Sequence, residues 1–378
     1  MNEIVDFNLS AGILLNFIIY LILMYMGWQA WKKPKTVKLV NFNIFLLLLL
    51  VVSVFSYTGD FYHYYSIFTK KQSGKGYLQH IEYVYLFILN LTEGEYYLWR
   101  FLTWGISIIL ITLTCKILKL NPFITWFVFL SYGMIFFVNG RVSLSMAIFF
   151  LGIALMVRNR VNLFIRILGI ALIIASTFFH KSAGFGVIIL LLSLILFRFN
   201  KFTIGAVIIA IPLLILLLKL FLTNIFTYTL GGDASLILNT AQGYLKNEEF
   251  ETRGIGRLIQ LTLLWSDFVL WFVLIIKAVK SKIYNRWPFQ IRIFVNFVFF
   301  TLILSSLFFF DLGFPTKILQ LRFSEFAFIP AAIMVASCRM CNFNNKITKW
   351  VIYLGIAQCI YNFIYTLYLS FTVAHFLK

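Results

Sequence analysis

Long apolar runs recur along the whole chain and are separated by short polar or basic segments. Most runs are about 17 to 25 residues long, enough for a helix to cross a hydrocarbon core of about 30 Å. They are continuous, whereas the strands of a membrane barrel would alternate between apolar and polar residues. The pattern predicts an all-α, polytopic transmembrane helix bundle of about twelve spans. The predicted spans are 11–31, 40–57, 97–118, 122–138, 142–157, 163–180, 183–197, 202–222, 257–276, 291–310, 320–338 and 350–371.

Two longer segments, 58–96 and 223–256, interrupt this series. Within the first, the apolar stretch 81–92 is too short to span and predicts a re-entrant or interfacial helix, with tyrosines at the headgroup level. The second contains five glycines and an acidic run. Two interpretations of it stay open, a mobile lid over a site and a solvated loop. No soluble appendage is evident, so we expect a single integral membrane domain over residues 1–378.

Charge is distributed unevenly along this predicted topology. The chain has 32 Lys and Arg against 13 Asp and Glu, a net charge of +19. Four predicted loops, 32–39, 158–162, 277–290 and 339–349, carry Lys and Arg and no acidic residue. The positive-inside rule assigns them to the cytoplasm, which places the N-terminus outside and, with twelve spans, the C-terminus outside as well. The expected partner of this positive charge is the anionic surface of the bilayer, not nucleic acid.

The acidic residues lie on the outer side or inside the membrane near it, together with several basic residues at the outer ends of spans. Arginine binds diphosphate oxygens through paired, charge-assisted hydrogen bonds, and a carboxylate or neutral His can accept a hydroxyl proton. This inventory suits an amphiphilic substrate with a lipid tail, a diphosphate and a glycan. The candidate residues are Asp60, Glu82, Arg141, His180, Lys181, Arg322 and Glu325.

Two other polar features have a structural interpretation. Asp267 lies in the middle of the ninth span, where an ionised side chain costs about 2.5–3.5 kcal/mol. It therefore needs a polar contact or a proton. Cys338 and Cys341 form a CxxC pair without the partner ligands of a metal site. With no DxD motif and no clustered carboxylates, we expect no metal and no cofactor.

An ordered set of short motifs resembles a known family, the EpsG group of Wzy-type polysaccharide polymerases. The resemblance covers most of the chain in order and topology. At the arginine of the fifth span, members often carry Gln next, whereas Val142 follows here. The motifs are GD-x-Y-x-x-Y (Gly59, Asp60, Tyr62, Tyr65), the acidic-aromatic helix from Glu82 to Tyr85, NxR (Asn139, Arg141), FHKSA (His180 to Ala183) and a late outer Arg (Arg322).

The resemblance implies a GT-C-like membrane glycosyltransferase that needs no nucleotide sugar and no metal. It would join repeat units carried on undecaprenyl diphosphate into surface polysaccharide, such as O-antigen, capsule or exopolysaccharide. It would do so at the outer face of the bacterial cytoplasmic (inner) membrane, and a chain-length regulator is a further implied partner. The expected partners are thus the lipid-linked glycan and the bilayer.

Roles for the candidate residues follow as hypotheses. Arg141 and Arg322 hold the leaving diphosphate, with help from Lys181. The general base is His180, Asp60 or Glu82, with a slight preference for His180. The remaining substrate-binding candidates are Tyr62, Tyr65 and Glu325, which would contact the glycan.

Three alternatives remain open from the sequence. A transporter or flippase for lipid-linked oligosaccharide would suit twelve spans and a basic cytoplasmic face. An O-antigen ligase would share nearly every feature. An O-acyltransferase would need a membrane-embedded His with a neighbouring Asp or Asn, which His180 followed by Lys181 matches poorly.

Overall fold

The computed structural model describes residues 2–33, 38–55, 83–92, 95–132, 140–158, 162–180, 183–195, 205, 255–309, 316–343 and 345–376. These residues form twelve helices of nine residues or more, one short helical turn and no strand. The helices are α1 (Asn2–Lys32), α2 (Leu39–Phe55), α3 (Tyr83–Leu91), α4 (Tyr96–Ile117), α5 (Pro122–Tyr132), α6 (Gly140–Met156), α7 (Leu163–Phe179), α8 (Ala183–Ile195), α9 (Ile255–Lys280), α10 (Ile283–Arg286), α11 (Phe289–Phe309), α12 (Thr316–Met340) and α13 (Asn345–Phe376).

The apolar runs of the sequence become these helices, so the all-α class is confirmed for the described part of the chain. Eleven of the twelve predicted spans coincide with a helix, and most ends agree to within a few residues. The short helix expected at 81–92 is α3, Tyr83–Leu91. The predicted span 202–222 lies outside the described residues apart from Gly205, and so does the loop 223–256 apart from the first residues of α9.

Two of the described helices contain a segment long and apolar enough to cross a membrane, Leu14–Lys32 and Tyr96–Ile117. Seven shorter apolar helices of 10–17 residues accompany them. Large apolar side chains also cover outer surfaces of the bundle; on α7, for example, Phe164 is 70% and Phe178 64% exposed. Such extended apolar surface would be unfavourable in water and is favourable in contact with lipid.

Tight turns at one end of the bundle reverse the chain between consecutive helices. Lys119 after α4 and Asn342 after α12 adopt positive φ, 57° and 50°. In each turn the next amide donates back into the helix, Leu120 to the Cys115 carbonyl at 2.9 Å and Phe343 to the Cys338 carbonyl at 2.8 Å. This left-handed C-terminal cap satisfies carbonyl groups that the helix itself leaves without partners.

The same end carries most of the basic residues of the described loops, and we call it the basic end. There, the guanidinium of Arg339 donates to the Trp31 carbonyl at 2.8 and 3.0 Å, and its carbon lies 5.6 Å from the Trp31 ring centroid. Arg339 thereby joins the last turn of α12 to the end of α1, although Arg339 and Trp31 are 308 residues apart in the sequence. The other end of the bundle is called the opposite end below.

The centre of one half of the bundle is α5, which packs against α1, α4, α12 and α13. The Tyr20 hydroxyl of α1 donates to the Leu130 carbonyl, near the end of α5. Gly355 of α13 lies so close to α5 that a Cβ there would stand 2.6 Å from the Ser131 carbonyl oxygen. Small residues thus let these backbones approach closely, as is typical of helix packing in membranes.

The other half is organised around α6, which packs against α4, α7 and α8. Gly152 of α6 and Gly169 of α7 face each other, and a Cβ on either one would stand 2.7 Å from the carbonyl oxygen of the other. Helices α11 and α12 pack closely together and reach α6 through aromatic contacts, Phe149 with Phe297 and with Phe326. The two glycines therefore set how closely α7 can approach the core helix α6.

Replacing Gly152 by Val tests this close approach. The added Cβ meets backbone and cannot be accommodated by a side-chain rotation, so we expect a loss of about 1–3 kcal/mol of stability. Thermal unfolding of the detergent-solubilised protein measures the loss. Gly184→Ala on α8 is the matched control, since nothing lies within 4 Å of its Cβ position. Equal thermal stability of the Gly152 variant, the control and the wild type would contradict the packing described.

Candidate functional site

The site is built on the contact between α6 and α7 near the opposite end of the bundle. The Ser145 hydroxyl of α6 donates to the Ser176 carbonyl of α7 at 2.8 Å, and both residues are buried. Arg141 precedes Ser145 by four residues and His180 follows Ser176 by four residues. The two helices run in opposite directions. A step of four residues back from Ser145 and a step of four residues forward from Ser176, each about 6 Å, therefore lead towards the same end of the bundle. The contact therefore places the backbones of Arg141 and His180 at one end of two adjacent helices.

The position of His180 follows from the way in which α7 ends. His180 is extended, with φ −158° and ψ 125°, and its amide donates to the Ser176 carbonyl at 3.1 Å. The amide of Ala183 then donates to the His180 carbonyl at 2.9 Å, and α8 begins at Ala183. The half-buried His180 therefore lies between the end of α7 and the start of α8. Lys181 lies outside the described residues.

Arg141 lies in the first turn of α6, and its side chain lies outside the description. Val142, the residue that departs from the family pattern, is buried with 3% exposure. Its side chain is part of the apolar core of the bundle.

Aromatic contacts bring α12 to the same group of helices. The rings of Phe149 on α6 and Phe326 on α12 meet edge to face with centroids 6.2 Å apart, and Gly186 of α8 packs against both rings. Arg322 stands four residues before Phe326, about 6 Å closer to the opposite end. Arg141 stands eight residues before Phe149 and is therefore about 12 Å closer to the opposite end than Phe149 is. The backbones of the two arginines thus differ in depth by about one turn and belong to helices that touch.

The described part of the chain brings together only some of the sequence-predicted site residues. The backbones of Arg141, His180, Arg322 and Glu325 lie towards the opposite end of the group formed by α6, α7, α8 and α12. The side chains of Arg322 and Glu325 lie outside the description. Helix α3, which directly follows Glu82, packs against α7. The remaining candidates, Asp60, Tyr62, Tyr65, Glu82 and Lys181, lie outside the described residues.

One charged residue with a defined position is absent from the sequence-predicted set. Arg100, on α4, is only 3% exposed, and its Nη2 donates to the Ser53 carbonyl of α2 at 2.7 Å. The signal was visible in the sequence, because an ionisable residue one turn inside an apolar span is a functional candidate in a membrane protein. Arg100 occurs in the run YYLWRFLTW at the start of the predicted span 97–118.

Of the two expectations for Asp267, a polar contact or a proton, the described residues supply no polar contact. The residue is fully buried, and neither carboxyl oxygen has a hydrogen-bond partner within the described ranges. Gln358 on α13 is buried and lacks partners in the same way, and α13 packs against α9. Asp267 lies 13 residues before Lys280 and Gln358 lies 13 residues after Asn345. Both therefore stand about 20 Å from the basic end, at the same depth in the bundle.

No three His, Cys, Asp or Glu side chains come together as a metal site among the described residues. Of the CxxC pair, Cys338 is buried and Cys341 is exposed.

The fold defines the class of protein first: a bundle of apolar helices with large apolar side chains on its outer surfaces, as in a membrane protein. The model of the EpsG family matches residues 38–377, nearly the whole chain, and the chain belongs to this family. The resemblance carried by the short motifs is thereby confirmed. Membership indicates a membrane protein of the polysaccharide-polymerase type. No curated protein and no solved structure matched the chain.

Cross-linking tests whether the ends of α6 and α7 lie together. In a variant without the natural cysteines, we expect Arg141→Cys and His180→Cys to be joined by a reagent spanning about 10 Å, the usual distance between packed helix axes. The control pair is Arg158→Cys with His180→Cys, since Arg158 lies at the far end of α6, about 25 Å along the helix. Peptide mass spectrometry detects the products. Equal yields for the two pairs, or a product from the control pair alone, would contradict the arrangement.

Proposed function

We propose that this protein is a glycosyltransferase that joins oligosaccharide repeat units carried on undecaprenyl diphosphate into a surface polysaccharide. The observation that carries the proposal is the Ser145–Ser176 contact, because it brings the arginine of one family motif and the histidine of another to one end of two packed helices. Membership in the EpsG family supports the same reaction class.

The proposed topology places this site at the outer face of the cytoplasmic membrane. The chain forms a single domain of about twelve spans with a GT-C-like architecture, in the bacterial cytoplasmic membrane. The basic end faces the cytoplasm, as the positive-inside rule requires of loops rich in Lys and Arg. Both termini then lie outside. Support comes from Lys32 and Arg339, which lie side by side at the basic end, while Arg141 and His180 lie at the opposite end.

In the proposed reaction a hydroxyl oxygen of the acceptor repeat unit attacks the anomeric carbon of the donor. A new C–O bond forms there, the bond from the anomeric carbon to the diphosphate oxygen breaks, and undecaprenyl diphosphate leaves with the bonding electron pair. The hydroxyl proton passes to a general base. His180 is the preferred base because a neutral imidazole accepts protons readily and the Ser145–Ser176 contact brings its backbone to the same end as that of Arg141. Asp60 and Glu82 are the alternatives.

Stabilising the leaving diphosphate is the main task that the protein can perform without a cofactor. Arg141 and Arg322 carry fixed positive charges with donors arranged to pair with phosphate oxygens. Lys181, next to His180 in the sequence, would add a third charge. Preorganised charge of this kind is usually a large contribution to catalysis. The glycan would be held by Tyr62, Tyr65 and Glu325.

A lipid-linked oligosaccharide transporter is the second candidate, and one observation favours it. Asp267 and Gln358 place polar groups deep in the bundle at equal depth, as a route through the membrane would require. The two functions differ in the intermediate that accumulates when the protein is inactive. A transporter defect leaves lipid-linked units on the cytoplasmic side, and a polymerase defect leaves single repeat units already exported.

Alanine substitution of Arg141 or Arg322 tests the polymerase directly. Each loses a charge that stabilises the leaving diphosphate, so we expect polymerisation to fall by at least about 100-fold. Gel analysis of surface polysaccharide should show single repeat units in place of long chains. Arg158→Ala is the matched control, since Arg158 is exposed at the basic end of α6. Unchanged chain length at a normal level of the Arg141 or Arg322 variant would overturn the assignment, and accumulation on the cytoplasmic side would favour the transporter.

A further inference from the structure

The segment between α9 and α11 at the basic end carries positive charge that it does not balance itself. Residues 277–292 contain five Lys or Arg and no Asp or Glu. Four of these basic side chains are exposed, as is usual for solvated charges at a membrane boundary. The fifth, Arg292 in the first turn of α11, is half-buried. Its surroundings therefore differ from those of an ordinary surface charge.

The guanidinium of Arg292 lies against an aromatic ring, and its donors are unused. Its carbon is 6.0 Å from the ring centroid of Tyr284. Nε is enclosed by the protein and has no hydrogen-bond partner among the described residues. No hydrogen bond of Nη1 or Nη2 is found within the described ranges either. A partly desolvated cation without an acceptor is unfavourable, and an anion on the open side of the guanidinium would compensate for the lost hydration.

The ring that supports Arg292 is fixed by the surrounding helices. Tyr284 is 1% exposed, and its hydroxyl donates to Oδ1 of Asn296 at 2.6 Å. Nδ2 of Asn296 donates in turn to the Ser193 carbonyl of α8 at 3.2 Å. The ring of Trp287 meets the Tyr284 ring edge to face, with centroids 6.5 Å apart. Contacts with α8 and α11 thus determine where the Tyr284 ring, and with it the guanidinium, lies.

A phosphate group matches the chemistry of this arrangement. A planar guanidinium pairs two N–H donors with two phosphate oxygens, and hydrogen bonds between charged partners are stronger than neutral ones. The exposed cations of the same segment would add attraction for an anion with more than one negative charge. At the basic face of a membrane protein, anionic lipid headgroups supply such groups, and phosphorylated solutes carry the same chemistry.

We propose that Arg292 binds a phosphate group at the basic end of the bundle, with Tyr284 as the support that positions its guanidinium. In the proposed topology this end faces the cytoplasm. The phosphate then belongs either to the headgroup of an anionic phospholipid in the inner leaflet or to a phosphorylated solute. The site lies at the other end of the bundle from Arg141 and His180 and does not depend on the proposed glycosyl transfer.

The experiment measures the binding of two probes to the full-length purified protein. The first probe is inorganic phosphate, titrated in detergent against chloride at equal ionic strength, so that the screening of charges is the same. The second probe is phosphatidylglycerol, added in increasing amounts to phosphatidylcholine nanodiscs. Thermal unfolding reports both interactions, because a ligand that binds the folded protein raises its unfolding temperature. At least one of the two probes should stabilise the wild type.

The variant Arg292→Gln is compared with Arg286→Gln, which removes the same charge from an exposed position in the same segment. For Arg292→Gln we expect the apparent Kd to rise by at least about tenfold, since hydrogen bonds between charged groups are lost. For Arg286→Gln we expect little change. Arg292→Lys keeps the charge without the planar fork and should recover only part of the affinity.

The two probes distinguish the source of the phosphate. Stabilisation by phosphatidylglycerol alone supports a lipid headgroup, and stabilisation by inorganic phosphate supports a solute. Equal weakening in Arg292→Gln and Arg286→Gln would reveal a diffuse attraction in place of a defined site and would overturn the proposal. So would the absence of stabilisation by both probes. If Arg292→Gln does not fold, wild-type affinity of Arg292→Lys for both probes overturns the role of the guanidinium.

Discussion

The close packing of α6 against α7 is the constraint on which the candidate site depends. Gly152 and Gly169 bring the two backbones together, and the Ser145–Ser176 hydrogen bond fixes how far one helix is shifted along the other. A shift by one turn would move the start of α6 about 5.4 Å relative to the end of α7. Arg141 and His180 would then stand at different depths. The chemistry assigned to the opposite end thus depends on a contact between small residues deeper in the bundle.

A second constraint is that the carbonyl groups at helix ends need donors inside an apolar bundle. Water can supply them at the surface, but a buried polar group without a partner is costly. Here Arg339 supplies donors at the end of α1. Turns with left-handed residues supply others, as at Lys119 and Asn342. Each solution also fixes the direction in which the chain leaves its helix.

The helices were largely predictable from the sequence because they are continuous apolar runs, and even the short α3 was expected from its length and its tyrosines. The depth of Arg141 and His180 was also predictable, since both stand at the ends of such runs. Their neighbours were not. The pairs Ser53–Arg100, Ser145–Ser176 and Asn16–Phe55 join residues on different helices, and no periodicity encodes which helices touch. Arg100 was not predicted because it stands one turn inside a span, whereas the candidate residues stand at span ends or in the segments between spans. For Asp267 the described residues supply no polar contact, and the other expectation, a proton, stays a prediction.

The central claim is that one constellation at the opposite end binds a lipid-linked diphosphate. An experimental structure of the full chain with an isoprenyl diphosphate bound in a lipid nanodisc tests it most directly. We predict the diphosphate at the end of the bundle shared by α6, α7 and α12, within hydrogen-bonding distance, about 3 Å, of the Arg141 and Arg322 guanidinium groups. A diphosphate bound at the basic end, or beside only one of the two arginines with the other facing a separate surface, would contradict the account.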